Sequence, residues 1–389
     1  MKNDELKFGS DGKFVIMQVS DAQDLVYVRK AMVQMLDKAY DSVKPDLVLF
    51  TGDNILGNHL LDAVIGSRKV AEGYNAEYDR MEKSLRHILR PVSERKIPFG
   101  MIFGNHDDMN SVTKDEQIEI FRRYDCCLDM NKTDKRVDCD TYSIPIKSSD
   151  GSKTLFNIFM LDSAWKNKIE EKHYCKIKSE TTAWFKETNE NLRKENGGEY
   201  VPSLMFMHIP LPQELGLLKE CEKGDSGAIE GDSGKYYRLD EKKAGGTLGE
   251  MPSVVTDDGG LFDAIKESGN VMAVAAGHDH RNSFDGTEDG VRFIQTACAS
   301  FRCYGNNKRG VRLFILDENK KGEFETKELT YSDICGTSLR ARVRYFLDAD
   351  DLEKKKITLF ATAAAVGAAA IAACALPCRD RIVCGPSCG

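Results

Sequence analysis

The chain has 389 residues, 41% hydrophobic and 30% charged. That is a globular composition with room for one large domain or two, and it excludes a disordered chain. The formal net charge of -7 argues against the basic footprint that a DNA or RNA binder needs. The N-terminus, Met1 to Lys7, lacks the apolar core of a signal peptide, so the cysteines, 12 in all, are expected to be reduced thiols.

In chain order, Phe14 to Val19 reads as a buried strand ending at Ser20-Asp21. A helix follows over about 26–43, with Val28, Met32, Met35, Leu36, Ala39 and Tyr40 at helical spacing. Asp46 to Phe50 is a second strand, ending in Gly52-Asp53. A second helix runs from Tyr78 to about Glu94, with Met81, Leu85, Ile88 and Leu89 on one face and Pro91 set to kink or end it. The apolar run Ile97 to Phe103 then delivers Gly104-Asn105-His106-Asp107. This strand–helix alternation is the rhythm of a largely parallel sheet.

Beyond it, 116–124 reads as a helix, and 142–146 with 155–161 as a hairpin at the far side of the sheet. A charged helix over 179–196 turns Trp184, Phe185 and Leu192 to the core, where Trp184 is expected to be an apolar anchor rather than a substrate platform. Leu204 to Met207 is a strand ending in His208. A polar stretch, 221–260, contains the paired segments Gly224-Asp225-Ser226-Gly227 and Gly231-Asp232-Ser233-Gly234. It lacks EF-hand spacing and is expected to be a lid beside His208 rather than a Ca²⁺ site. Val271 to Ala276 leads into Gly277-His278-Asp279-His280, and 291–297, 311–316 and 324–329 read as further strands.

Apolar strands thus end in Asp21, Asp53, Asn105-His106, His208 and His278–His280. Open α/β sheets place their chemistry at such strand ends, and this donor set is one that holds metal ions. The order of the blocks resembles the calcineurin-like metallophosphoesterases over roughly residues 13 to 317, in the flavour of a bacterial group related to purple-acid-phosphatase-like enzymes. The resemblance implies an α/β fold, a four-layer αββα sandwich. It also implies two divalent transition metal ions (Mn, Fe, Zn or Co), whose bridged hydroxide hydrolyses phosphate esters. By the same resemblance Asp21, Asp53 and His280 hold the first metal, with Gln23 as a candidate further ligand, and Asp53, Asn105, His208 and His278 hold the second. His106 assists the leaving group, with Asp107 or Asp108 as the carboxylate that orients it.

Two positions depart from the pattern. Gln23 stands where the family usually has His, and Leu56 stands where purple acid phosphatases carry their coloured tyrosinate, so no tyrosinate band is expected. His59, His87 and His173 lie outside the blocks and read as surface or satisfied histidines. The substrate implied is a phosphorylated small molecule or protein. The alternatives are a catalytically silent membrane-tethered binding or scaffold protein on the same fold, or a nuclease of the superfamily.

From Ile357 to Leu376 runs an uncharged stretch of 20 residues, ten of them Ala, preceded by Lys354-Lys355-Lys356. Twenty residues of helix span a bilayer, and the basic excess before the run puts the catalytic part in the cytoplasm. The expected organisation is a catalytic domain over 1–350, a basic juxtamembrane linker over 351–356 and a C-terminal hydrophobic, transmembrane helix over 357–376. A Cys-containing tail occupies 377–389. A soluble Ala-rich helix is the competing reading of the run.

Overall fold

The computed structural model describes residues 5–130, 134–163 and 176–362. Strand β1 (Lys13–Val19) leads to helix α1 (Lys30–Val43), β2 (Leu47–Thr51), α2 (Tyr74–Glu94) and β3 (Phe99–Ile102). Their three strands pair in parallel, Met17 opposite Val48 and Val48 opposite Phe99. The chain then makes α3 (Lys114–Arg122), β4 (Tyr142–Lys147), β5 (Thr154–Met160), α4 (Ser179–Glu195) and β6 (Ser203–Phe206). Short strands β7 (Leu218–Cys221), β8 (Ile229–Glu230), β9 (Tyr236–Leu239) and β10 (Ala244–Thr247) precede α5 (Leu261–Ser268). Strands β11 (Val271–Ala276), β12 (Ser283–Glu288), β13 (Val291–Gln295), β14 (Gly310–Asp317) and β15 (Phe324–Thr330), then α6 (Tyr331–Cys335) and α7 (Leu339–Asp348), complete the order.

One sheet runs β15-β14-β1-β2-β3 and the other β10-β12-β13-β11-β6-β5-β4. The alternation along the central strands of the second sheet shows how they stack. Leu204 and Phe206 of β6, Ile158 of β5 and Ala273 and Ala275 of β11 join one core with the first sheet, α1 and α2. The intervening Met205, Phe159 and Val274 join a second core with Trp184 and Phe185 of α4 and Leu261 and Ile265 of α5. A period-two strand with both faces apolar can only be buried on both sides. The layers therefore run helix, sheet, sheet, helix, and Trp184 is an anchor in the outer core.

Several expectations shift. The first helix begins at Lys30 rather than Val26, because Asp24 draws the chain around itself, accepting from the Leu25 and Arg29 N–H groups at 2.7 and 2.6 Å. Pro91 neither ends nor interrupts α2, whose last residue is Glu94; only the final turn lies beyond it. Helix α3 starts at Lys114 through a Thr113–Glu116 capping box, a device worth about 1 kcal/mol. The segment 221–260, expected to be a lid, carries regular structure. Strands β7, β9 and β8 form a small antiparallel sheet there, and β10 extends the large sheet against β12. No disulfide occurs among the described cysteines.

Residues 351–362 are helical, but no helix among the described residues is long and apolar enough to cross a membrane. Most of the 357–376 run, the tail cysteines and His173 lie outside the described residues.

One buried carboxyl away from the metal-donor cluster carries a pH signature. Glu214 is 1% exposed and accepts from Gln295 Nε2 at 2.9 Å, the same amide that donates to Asp279 at 3.3 Å. Burial pushes its pKa up from 4.5 to about 8. The folded chain thus keeps a proton that the unfolded chain releases, so stability falls as pH rises through that window. Glu214→Gln is expected to flatten the fall in Tm between about pH 5 and about pH 8. A wild-type slope retained in the variant would assign the effect to another group.

Candidate metal centre

All of the strand-end residues named above come together at one edge of the two sheets. Asp21, Asp53 and His280 bring ligand atoms within 4.8 Å of one another, and so do Asp53, His208 and His278. Asp53 belongs to both groups. The backbone helps aim them, since Asp21, Asp53 and His278 all lie in the left-handed region at φ 49°, 47° and 69°. Non-glycine residues avoid that region, and its occurrence at three neighbouring positions is the kind of strain that collects at functional sites. Gly104 supplies the close approach: a Cβ there would collide with Asp53 Oδ1.

Two of the imidazoles, His208 and His280, are set by their other nitrogen. His208 Nδ1 donates to the Thr51 carbonyl at 3.0 Å, which turns Nε2 toward Asp53 Oδ1 at 3.4 Å and Asn105 Oδ1 at 3.1 Å. His280 Nδ1 donates to the Tyr304 carbonyl at 2.8 Å and presents Nε2 to Asp21 Oδ1 at 3.4 Å. The Tyr304 ring stacks on His280, centroids 4.3 Å apart, with the Arg281 guanidinium 4.9 Å from its centre. The His278 backbone N–H donates to Asp21 Oδ2 at 3.0 Å, which ties the His278 loop to the Asp21 loop without acting on the His278 ring. Carbonyl partners like those of His208 and His280 fix tautomer and direction in metal-binding histidines.

The electrostatics are those of a donor set with surplus lone pairs. Burial works against a charged His208, yet the Asp53 and Asp21 carboxylates raise it to about 10. Burial and the neighbouring His208 push His278 down to about 3. Burial opposes the charge on Asp53 too, but His208 and His106 hold its carboxyl well below the usual range. Asp21 Oδ1 and Gln23 Oε1 are buried with no hydrogen-bond partner. Converging carboxylates and imidazole nitrogens, with the unpartnered Asp21 Oδ1 3.4 Å from His280 Nε2, fit divalent transition ions.

Gln23 reaches this centre. Its Nε2 donates to Asp53 Oδ2 at 3.3 Å and to His280 Nε2 at 3.0 Å. The neighbouring Asp24 is engaged elsewhere, accepting from the Arg302 guanidinium at 2.6 Å.

His106 is only partly buried, with Nε2 4.0 Å from Asp53 Oδ2. Neither expected carboxylate orients it. Asp107 faces the other way, accepting from the Gly104, Asn54 and Ile55 N–H groups at 2.8, 3.0 and 3.1 Å, and so braces two motif loops together. Asp108 lies 3.6 Å from Lys114. The partner of His106 Nδ1 is Asn58 Oδ1 at 3.0 Å, on the short turn Gly57–His59. A neutral amide does not raise the histidine pKa as a carboxylate would, and burial lowers it from its ordinary value. Leu56 is buried, His59 pairs with Asp62 at 2.7 Å and His87 is exposed, so none of them joins the centre.

A mixed α/β fold whose two sheets bring carboxylates, amides and imidazoles to one edge defines a metallophosphoesterase. The profile of the family described as calcineurin-like phosphoesterase matches residues 14–282, and the chain belongs to that family, whose members bind a binuclear divalent metal centre. The chain is similar to the Arabidopsis thaliana protein named probable inactive purple acid phosphatase 29, 26% identical over 351 residues that span 82% of this chain and 80% of the plant protein. It is also similar to phosphatase DCR2 of Saccharomyces cerevisiae, 25% identical over 317 residues, 76% of this chain and 48% of the yeast protein. Among solved structures, a dimetal phosphatase from Danio rerio matches with a TM-score of 0.45 and 12% identity, over 82% of this chain and 99% of that one. These sequence relatives are plant and yeast proteins and lend no support to the narrower bacterial grouping.

Proposed function

We propose that the chain is a metal-dependent phosphoesterase acting on a phosphorylated small molecule or protein. The observation that carries this reading is the membership of Asp53 in both donor groups. Asp21, Asp53 and His280, with Gln23 once its amide is turned, would hold one divalent ion, and Asp53, Asn105, His208 and His278 would hold the other. Such a pair supplies a water made acidic and positive charge facing the phosphoryl oxygens. The chain's own residues do the rest. Asn58 holds the His106 ring with Nε2 toward the centre, where the imidazolium form would give its Nε2 proton to the departing oxygen. Thr51 and Tyr304 keep His208 and His280 aimed, and Asp107 holds the Asp53 and Asn105 loops at fixed separation. Attachment to a membrane through the C-terminal segment, with this centre on the cytoplasmic side, belongs to the same proposal.

The test is reconstitution with Mn, Fe, Zn or Co, counting bound metal and following hydrolysis of an aryl phosphate. Near two ions per chain with turnover is the expected result. Two ions with no turnover on mono- or diesters would favour a catalytically silent binding protein. Gln23 motivates that second reading, and the name of the plant relative contains the word inactive.

Gln23 itself yields a graded prediction. A half-turn of its amide would exchange Nε2 for Oε1 at the point between Asp53 and His280, and an amide oxygen is a weaker neutral donor than imidazole. Gln23→His is therefore expected to tighten metal binding and shift preference from Mn²⁺ toward Zn²⁺, while Gln23→Ala weakens it. Coincident competition titrations for all three proteins would remove Gln23 from the ligand set.

A further inference from the structure

Helix α7 presents an outward face that nothing in the described structure covers. Leu339, Val343 and Leu347 recur every fourth residue and are 79%, 47% and 53% exposed. Helical spacing brings the half-buried Phe346 beside them, with Arg340 on one flank and Arg342 on the other. Both arginines are exposed. The same sign and character continue into the following helical residues, where Leu352, Leu359 and Phe360 are 52%, 70% and 77% exposed and Lys354, Lys355 and Lys356 lie among them.

The inner face of α7 is pinned, so this outer face has a fixed direction. The Tyr345 ring packs 5.2 Å from Phe301 and 5.3 Å from Tyr331, and its hydroxyl donates to the Asn306 carbonyl at 3.0 Å. Asp348 accepts the Ala31 N–H at the start of α1 at 2.6 Å. Most acidic residues of this region are turned inward or paired: Asp350 with Arg309 at 2.6 Å, Arg344 with Asp348 at 3.7 Å and Glu353 buried, while the exposed Asp351 lies 3.9 Å from Lys354. An acidic chain thus borders the α7 stripe with two arginines, Arg340 and Arg342, that are exposed and form no ion pair among the described residues.

We infer that α7 is an interfacial helix that lays Leu339, Val343, Phe346 and Leu347 against a bilayer carrying anionic lipid, with Arg340 and Arg342 at the headgroups. An apolar stripe bordered by arginine is the pattern of helices that lie in the membrane surface, and each basic residue there adds electrostatic attraction. The charge also argues against a second copy as occupant, because a symmetric pairing of this face sets arginine against arginine. This contact is separate from the proposed phosphoesterase chemistry and requires no spanning segment.

The full-length protein would be mixed with phosphatidylcholine vesicles, with or without phosphatidylserine, containing a lipid with a diazirine high on its acyl chain. After illumination, labelled residues are mapped by mass spectrometry. The expected result is labelling at Leu339, Val343 and Leu347 only with phosphatidylserine present, falling about tenfold or more in R340E/R342E. L339E/V343E/L347E should abolish it. Metal content and aryl phosphate hydrolysis measured without vesicles should match the wild type in both variants, which separates loss of docking from loss of fold. Labelling confined to residues after 356, or equal labelling without phosphatidylserine, would overturn the inference. So would a concentration-dependent dimer that shields α7 in the absence of lipid.

Discussion

Asp53→Asn is expected to reduce phosphate ester hydrolysis by at least about a thousandfold and to leave fewer than two metal ions bound. The carboxylate sits in both donor groups and is held ionised by His208 and His106, so its loss removes charge from both positions at once. The substitution is nearly isosteric. Asp53 Oδ1 also accepts the His106 N–H at 2.8 Å, a bond the Asn carbonyl can keep, so the fold should survive. His106→Ala provides the contrast: metal content unchanged, with turnover lost most for alkyl leaving groups, which need a proton more than nitrophenolate does. Metal analysis beside kinetics on both leaving groups checks the pair. Full activity in Asp53→Asn would end the bridged-site reading.

The second large effect is on stability. Arg309 is completely buried, its guanidinium donating to the Ser300 and Cys303 carbonyls at 2.7 and 2.8 Å and pairing with Asp350 at 2.6 Å. It also lies 5.3 Å from the Phe301 ring centre. Arg309→Ala would strand a partly buried carboxylate and two carbonyls, a loss of about 3–5 kcal/mol by comparison with broken buried pairs. Removing both partners together, as Arg309→Met with Asp350→Leu, should recover much of that loss, because no charge is then left unpaired. Denaturant unfolding of the three proteins decides it. The loop that Arg309 ties down includes Tyr304, so Arg309→Ala should also weaken metal binding on the His280 side.

What the sequence makes legible is the set of residues delivered directly by buried strands. Asp21, Asp53, Asn105, His208 and His278–His280 each follow an apolar run, and a run of that kind determines where its next polar residue emerges. Residues that act from across the fold leave no such trace. Asn58 reaches His106 over 48 positions, and the Tyr304 carbonyl reaches His280 over 24. Asp107 was visible as a neighbour of His106, but its direction depends on the Gly104, Asn54 and Ile55 N–H groups that it gathers. Strand β12, reading Ser283-Phe-Asp-Gly-Thr-Glu, has too little apolar alternation to stand out, and β7–β9 are short pieces of a polar stretch. Their order comes from pairing with one another, which a local pattern does not show.

The left-handed conformation of Asp21, Asp53 and His278 sets a limit on engineering this molecule. Each costs of order 1–3 kcal/mol, and glycine is the usual remedy. At these positions glycine would delete the donor along with the strain. The residues that carry this backbone strain are the ones whose side chains would hold an ion, so metal would act as a folding ligand here. Its contribution grows with the logarithm of its free concentration. Melting temperature read against metal concentration, with no substrate present, would therefore report the affinity of the centre even in a protein that never turns over.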